Sequence, residues 1–376
     1  MLLIVDPSCP RPYSQRSLQT EALGGTEATI VRIAEGLGAT VAQHNRQTVE
    51  GRYVPYAAAR ASDDPNGKLI VVRDAKTLIE WHAILPRAKP YLWLHDLLGM
   101  GSGGLACAAP ELARIGATLI CVSDYHKAQA EAAVAAGGIA PETLSIHRIY
   151  NPIDDQLLPD ATPVDRYKLV FLSAPVKGLA ITLDAFRHIH AADSRFRLYI
   201  ASPGYGVNRM PRQLGVHWLG SLRHVDVMKH VRSSLCVFYP NFVYPETFGL
   251  VLAESNAVGT PVLTHTVGAA PEVLQGNANQ WQPVPSALAA AEKLTHVLPR
   301  GPWRRWLISA GGACGAYDAY LRVLTQWSTT RRPVVHANES FRLHHILNEW
   351  RALFRRAPGP DHRVEEPAHR GRRGGL

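Results

Sequence analysis

The sequence predicts an α/β protein built from two tandem, Rossmann-like, doubly wound domains, followed by a mostly helical C-terminal segment. Its length of 376 residues suits two domains of ordinary size better than one. Short apolar runs alternate with helix-like segments along most of the chain. This alternation pauses once, at a proline-containing stretch, and then begins again. Strand–helix alternation of this kind is typical of parallel sheets with right-handed crossovers.

The composition is that of a globular protein, with 46% hydrophobic and 19% charged residues. No apolar run approaches the roughly 18 residues of a transmembrane helix. Residues 1–6 lack a basic start, so they predict a buried strand and not a signal peptide. Five cysteines without a C-x-x-C pair argue against a disulfide or zinc framework. We therefore expect a cytoplasmic protein.

The first domain is predicted to span residues 1–155. Its strand candidates are short buried runs, and the helix predicted over residues 125–136 ends at Gly137 and Gly138. A linker containing Pro152, Pro159 and Pro163 follows. The strand candidates of this domain lie at residues 69–72, 91–94 and 118–122.

The second domain is predicted to span residues 164–325. A helical segment over residues 326–356 follows, with packing against the first domain as one possibility. Residues 357–376 hold three prolines, four glycines and no aromatic residue, which predicts a disordered tail. The second domain's predicted strands lie at residues 169–172, 197–200, 235–239 and 261–264, and its helices at 179–190, 225–232 and 248–258.

The net charge of +9 leaves two interpretations open. The arginines cluster late in the chain, which fits either peripheral contact with an anionic membrane or a solvated arginine-rich surface. No lysine-rich stripe interleaved with aromatic residues is present, so nucleic acid is not an expected partner.

The most informative motif runs from Pro245 to Glu254. Glu246 falls in the loop before a predicted helix and Glu254 about two turns inside it, so the two carboxylates point to different faces roughly 12 Å apart. They could contact two ends of an extended ligand. The backbone amides near Thr247, Phe248 and Gly249 would form an anion site at the helix N-terminus. The alternative is that Glu246 is a first-turn acid and Glu254 a surface residue.

This motif, with Tyr239-Pro240 before it and Gly259, Pro261-Val262 and residues 267–272 after it, resembles the C-terminal signature of the family 4 retaining glycosyltransferases. These enzymes have the double-Rossmann GT-B fold. The resemblance implies that Glu254 binds the ribose of a nucleoside diphosphate sugar and that Glu246 addresses its sugar. It also implies that the phosphates contact the backbone of Thr247, Phe248, Gly249 and Leu250.

A second motif, Ser173 to Lys177, follows the first strand of the second domain. Lys177 is placed to neutralise the diphosphate as it departs. The family pattern usually has an arginine a few residues earlier, where this chain has Leu172, Ser173 and Ala174. The alternative is a solvated lysine at a helix start.

Two further motifs belong to the first domain. Gly24 and Gly25 open a predicted helix, where glycine allows close approach of a ligand. A plain turn capped by Thr26 is the alternative. His95, after a buried strand, resembles the family histidine that contacts the donor sugar. Asp124 is predicted to be a helix N-cap.

The chain has no Walker, G-x-G-x-x-G, G-x-S-x-G or D-x-D motif. We therefore expect no cofactor and no metal requirement. The expected activity is metal-independent, retaining transfer of a sugar from a nucleoside diphosphate sugar to a saccharide or lipid-linked acceptor. The candidate catalytic residues are Glu246, Lys177 and His95. A non-catalytic nucleotide-sugar-binding or scaffold protein and a nucleotide-sugar epimerase are the alternatives.

Overall fold

The computed structural model describes residues 1–59, 64, 66–98, 103–202, 212–242, 244–277, 280–282 and 313–355. The predicted tail, residues 203–211 and residues 283–312 lie outside these ranges. Among the described helices, none combines the length and apolar character needed to cross a bilayer.

The first sheet has seven parallel strands in the order β3-β2-β1-β4-β5-β6-β7. Its register places Leu3 of β1 opposite Leu69 of β4. Both faces of these apolar strands are covered, as expected of a parallel sheet. The strands are β1 (Leu2–Asp6), β2 (Thr40–Gln43), β3 (Tyr53–Pro55), β4 (Lys68–Val72), β5 (Lys89–Trp93), β6 (Thr118–Cys121) and β7 (Ser145–Arg148). The helices are α1 (Ser17–Thr20), α2 (Gly25–Leu37), α3 (Tyr56–Ala59), α4 (Ala75–Ile84), α5 (Gly103–Arg114) and α6 (Asp124–Ala136).

The second sheet has six parallel strands in the order β10-β9-β8-β11-β12-β13. Both sheets therefore reverse strand order beside their first strand, which creates a ligand-binding crevice in folds of this type. The strands are β8 (Asp165–Phe171), β9 (Arg197–Ser202), β10 (Val216–Ser221), β11 (Ser234–Phe238), β12 (Val262–His265) and β13 (Trp281–Gln282). The helices are α7 (Leu179–Ala192), α8 (His224–Arg232), α9 (Leu250–Ala257) and α10 (Ala270–Val273).

Two further helices, α11 (Ala313–Thr329) and α12 (Leu343–Arg355), follow the second sheet. The side chain of Trp350 in α12 packs edge-on against Trp93 of β5, with ring centroids 5.0 Å apart. Arg351 donates a 3.0 Å hydrogen bond to the carbonyl of Gly36 at the end of α2. The last described helix thus packs against the first sheet and its helix α2.

The chain passes between the domains along two adjacent segments. Ile153 donates a 2.8 Å hydrogen bond to the carbonyl of Phe341, and Leu343 donates one of 3.0 Å to the carbonyl of Ile153. The outgoing linker and the returning segment therefore lie side by side.

Candidate active site

Glu246 lies in the loop after β11, where its backbone is fixed by the loop after β12. The amide of Ala269 donates a 2.9 Å hydrogen bond to the Glu246 carbonyl. Gly268 beside it has φ of +65°, and a Cβ there would lie 2.6 Å from that same carbonyl oxygen. Only glycine accommodates this approach without displacing backbone. The predicted position of Glu246 before the helix agrees with the structure.

The Glu246 carboxylate is buried and makes two short contacts. Lys177 donates to Oε2 over 2.7 Å, and the Tyr239 hydroxyl donates to Oε1 over 2.6 Å. Burial and the Glu246 charge raise the pKa of Tyr239 well above its usual value. Tyr239 consequently stays protonated and acts as a fixed donor to the carboxylate.

Lys177 lies just before α7 in a tight turn. Its amide donates to the Ala174 carbonyl over 2.8 Å, and Gly178 after it caps the helix with φ of +95°. The side chain is 29% exposed, so it can reach both Glu246 and a ligand in the cleft. Ser173 hydrogen-bonds the Tyr239 hydroxyl from the same turn. A freely solvated lysine, the alternative weighed above, does not describe this residue.

Glu254 lies in α9 and is 9% exposed, which rules out the surface-residue interpretation. Its carboxylate is 3.5 Å from Nη2 of Arg32 and 3.0 Å from Nε2 of His224. Burial disfavours the charged form of Glu254, but the charges of His224 and Arg32 outweigh it and lower the pKa of the carboxyl. The charge of Glu254 raises the pKa of His224 against the effect of burial.

Neither Arg32 nor His224 was among the predicted site residues. Arg32 is flanked in the sequence by apolar residues on both sides, at positions 30, 31, 33 and 34, and these are all buried. A charged residue inside such a run is the signal that could have identified it.

His95 directly follows β5 and is 6% exposed. Its Nε2 has no hydrogen-bond partner among the described residues. Burial, with Arg73 and His126 nearby, holds the pKa of His95 well below its usual value, so the imidazole is neutral. The Thr247 hydroxyl donates a 2.7 Å hydrogen bond to the His95 carbonyl, which joins this residue to the Glu246 loop.

The glycine motif begins α2, with Gly24 as the N-cap and no side-chain cap from Thr26. A Cβ on Gly25 would lie 3.1 Å from Cδ1 of Leu250, the first residue of α9. The motif of the first domain thus faces the start of the Glu254 helix. Gly249 caps α9 with φ of +92°, and the ring of Phe248 beside it is buried against Tyr150 and Phe341.

The prediction that Asp124 caps α6 was wrong. Ser123 is the N-cap, since its side chain accepts a 2.9 Å hydrogen bond from the amide of His126. Ser123 also donates to the Thr247 carbonyl. The Asp124 amide instead donates to the Glu272 carboxylate over 2.8 Å, which adds another contact between the domains.

Arg73 is a further polar residue that the sequence did not identify. Its φ of +69° is the only positive value among the described non-glycine residues. Its guanidinium lies 3.7 Å from Glu27 and 3.4 Å from Asp96. Backbone strain of this kind is often found at functional sites.

Within the described residues, no group of three or more histidine, cysteine or acidic side chains could hold a metal ion. The candidate site combines one carboxylate bonded by lysine and tyrosine, a second carboxylate between an arginine and a histidine, and a neutral buried histidine. These groups come from both domains and lie at the carboxyl ends of parallel strands or in the following helices.

Two parallel-sheet domains that face each other across such a site define the GT-B architecture. Residues 166–299 match the family model described as Glycosyl transferases group 1, which confirms the predicted resemblance. Phosphatidyl-myo-inositol mannosyltransferase from Mycobacterium leprae (strain TN) is 27% identical over 173 residues. That alignment spans 44% of this chain and 44% of the relative, less than half of either.

Solved structures confirm the predicted fold class. HepE of Anabaena, in complex with UDP and glucose, superposes with a TM-score of 0.57 at 16% identity, covering 94% of this chain and 99% of its own. Sucrose-phosphate synthase from Thermosynechococcus elongatus has a TM-score of 0.57 at 15% identity, with coverages of 94% and 98%. At such low identity these similarities establish the fold alone.

Proposed function

We propose that this protein is a retaining glycosyltransferase that moves a sugar from a nucleoside diphosphate sugar to an acceptor hydroxyl. The observation that carries the proposal is the bonded group of Lys177, Glu246 and Tyr239, whose loop is joined to His95 of the opposite domain by the Thr247 hydroxyl. HepE, similar in fold, has UDP and glucose in its solved complex, and the mycobacterial relative is named a mannosyltransferase.

The described groups suit the charges that develop in such a reaction. As the bond from the anomeric carbon to the β-phosphate oxygen breaks, negative charge grows on the diphosphate, and Lys177 stabilises it. The acceptor oxygen bonds to the same face of the sugar, and its proton passes to the departing phosphate oxygen. Glu246 and neutral His95 orient the sugar, and no metal is required.

The nucleotide part of the donor extends from Lys177 towards Glu254. Backbone amides over residues 247–250 and the α2 start at Gly24 and Gly25 hold the phosphates, because helix N-termini attract anions. Glu254 binds ribose hydroxyls. The burial of Glu254 and the approach of Gly25 to Leu250 support this arrangement.

The acceptor is a saccharide or lipid-linked molecule of bacterial polysaccharide, lipopolysaccharide or glycolipid synthesis. We propose a cytoplasmic protein that contacts anionic membrane peripherally. Lys68, Arg351 and Arg355 line one shallow pocket and could contribute to that contact.

A donor screen tests the proposal. Purified protein in EDTA is incubated with UDP-, GDP- and ADP-sugars, and NMR follows the released sugar and its initial anomeric configuration. We expect slow hydrolysis of one donor with retention of configuration. An inverted product contradicts the retaining mechanism. Binding without turnover, even with acceptor mixtures, indicates a non-catalytic nucleotide-sugar-binding protein, and an isomerised sugar nucleotide indicates an epimerase.

A further inference from the structure

Arg32 is a buried cation of the first domain that points at the second. It lies in α2, is 8% exposed, and its Nη2 is 3.5 Å from Oε1 of Glu254 in α9. Its other terminal nitrogen, Nη1, is buried and has no hydrogen-bond partner among the described residues. Burying a guanidinium with an unused donor is costly, because the group loses water without replacement.

Glu254 also has unused capacity. A carboxylate offers about four lone-pair directions. Of its two oxygens, Oε1 faces Arg32 at 3.5 Å, longer than an ordinary N–H···O hydrogen bond, and Oε2 faces His224 at 3.0 Å. The Arg32–Glu254 pair thus presents an unused donor next to unused acceptors.

A ribose hydroxyl both donates and accepts, so it complements such a pair. We propose that Arg32 and Glu254 together bind the ribose hydroxyls of the donor nucleotide, with Glu254 accepting and Nη1 of Arg32 donating. This inference rests on the proposed function, because it assigns the ribose end of the nucleotide to Glu254. Arg32 is then a ligand-binding residue contributed by the opposite domain.

The position of α2 supports this assignment. Gly25, seven residues before Arg32, lies against Leu250 at the start of α9, so the two helices approach closely along the cleft. His224, the first residue of α8, lies 3.0 Å from Oε2 of Glu254, whereas Arg32 faces Oε1. A nucleotide bound in this way contacts both domains, and its affinity depends on their apposition.

The competing interpretation is that Arg32 only joins the domains. Both interpretations predict that Arg32→Ala lowers the melting temperature, so stability cannot separate them. Ribose analogues can separate them. Removing a ribose hydroxyl weakens binding by an amount that depends on Arg32 only if Arg32 contacts that hydroxyl.

The experiment uses the full chain and isothermal titration calorimetry. Wild type is titrated with UDP, GDP and ADP, and the tightest of these is then compared with its 2′-deoxy and 3′-deoxy analogues. The variants are Arg32→Ala and Arg32→Lys, the latter keeping a charge beside Glu254 should the alanine variant fold poorly. Arg52→Ala is the matched control, since Arg52 pairs with Glu35 of the same helix over 3.1 Å.

We expect Arg32→Ala to weaken nucleoside diphosphate binding about tenfold or more, and Arg32→Lys less, with Arg52→Ala like wild type. In wild type, a deoxy analogue should bind more weakly than the parent nucleotide. For at least one analogue, this loss of affinity should be smaller in the Arg32 variants. If the variants weaken the nucleotide and both analogues by the same factor, or not at all, Arg32 does not bind ribose and the inference is wrong. If wild type binds none of the three nucleotides, both the proposed function and this inference are wrong.

Discussion

Lys177 Nζ and Glu246 Oε2 lie 2.7 Å apart although 69 residues separate them in the chain. The sequence predicted both as catalytic groups but assigned them separate tasks, one at the diphosphate and one at the sugar. Their pairing means that each group sets the charge environment of the other. Changing either residue should therefore affect both tasks.

Replacing Lys177 tests the leaving-group role. Lys177→Ala should lower kcat about 100-fold or more, because a preorganised cation is lost and the Glu246 carboxylate is left without its lysine partner. Lys177→Arg should recover part of the activity, since it keeps the charge with altered geometry. Steady-state kinetics at saturating donor measure this. Lys229→Ala is the control, because Lys229 is exposed and pairs only with Asp226 among the described groups. Retention of most of kcat in Lys177→Ala would mean that another cation holds the diphosphate.

Tyr239→Phe tests the second contact of Glu246. Hydrogen bonds to charged groups contribute about 1.5–3 kcal/mol, so we expect kcat to fall about tenfold or more while the fold is kept. Tyr53→Phe is a matched control, since the Tyr53 hydroxyl donates to Glu35 over 2.9 Å away from the candidate site. Equal effects of the two substitutions on kcat would contradict a role for Tyr239 in the reaction.

Glu254→Gln should raise the donor KM more than it lowers kcat. The residue lies inside α9, away from the Lys177–Glu246 pair, and a lost charge-assisted hydrogen bond costs on the order of 1.5–3 kcal/mol. Donor titrations of initial rate measure the effect, with Glu35→Gln for comparison. An unchanged donor KM argues against nucleotide binding by Glu254.

Activity should be full in EDTA. Lys177 and the helix N-termini of α2 and α9 supply the positive charge that a metal would otherwise provide. The check is the initial rate before and after chelation. A loss on chelation that manganese or magnesium restores refutes the metal-free mechanism.

The His224–Glu254 pair should make stability depend on pH. The raised pKa of His224 adds stability that is complete below 6.5, its ordinary value, and is lost as pH rises through the higher folded-state pKa. The lowered pKa of Glu254 adds stability that is present above 4.5 and is lost as pH falls through the folded-state pKa. The free energy of unfolding lost in His224→Gln should therefore be largest between pH 4.5 and 6.5. Urea denaturation across pH 4–9 tests this, and a pH-independent difference would contradict it.

The sequence predicted what depends on local pattern. The start of α9 after Glu246 followed from a buried strand, a glycine and an apolar helix in succession, and the structure has the helix at Leu250–Ala257. Ser123 was missed as the cap of α6 because serine and aspartate are nearly equal caps, and only backbone geometry separates them.

Contacts between distant segments could not be predicted in this way. Arg32 meets Glu254 only because the two domains face each other through α2 and α9, and no spacing within either segment encodes that. The Lys177–Glu246 contact likewise depends on β8 and β11 being neighbours in the second sheet. Parallel pairing of these strands brings their following loops to one edge.

The position of α12 limits how the domains can move. The outgoing linker at Ile153 is hydrogen-bonded to the returning segment at Phe341 and Leu343. The chain therefore crosses between the domains twice at one place, and these two segments form a two-stranded hinge. Such a hinge permits rotation about one line but resists sliding and twisting, so opening of the cleft should be a single-axis motion. Deleting residues 331–376 would leave one strand of that hinge and uncover Trp93. The truncated chain should therefore lose stability in its first domain, although the deleted residues lie at the opposite end of the sequence.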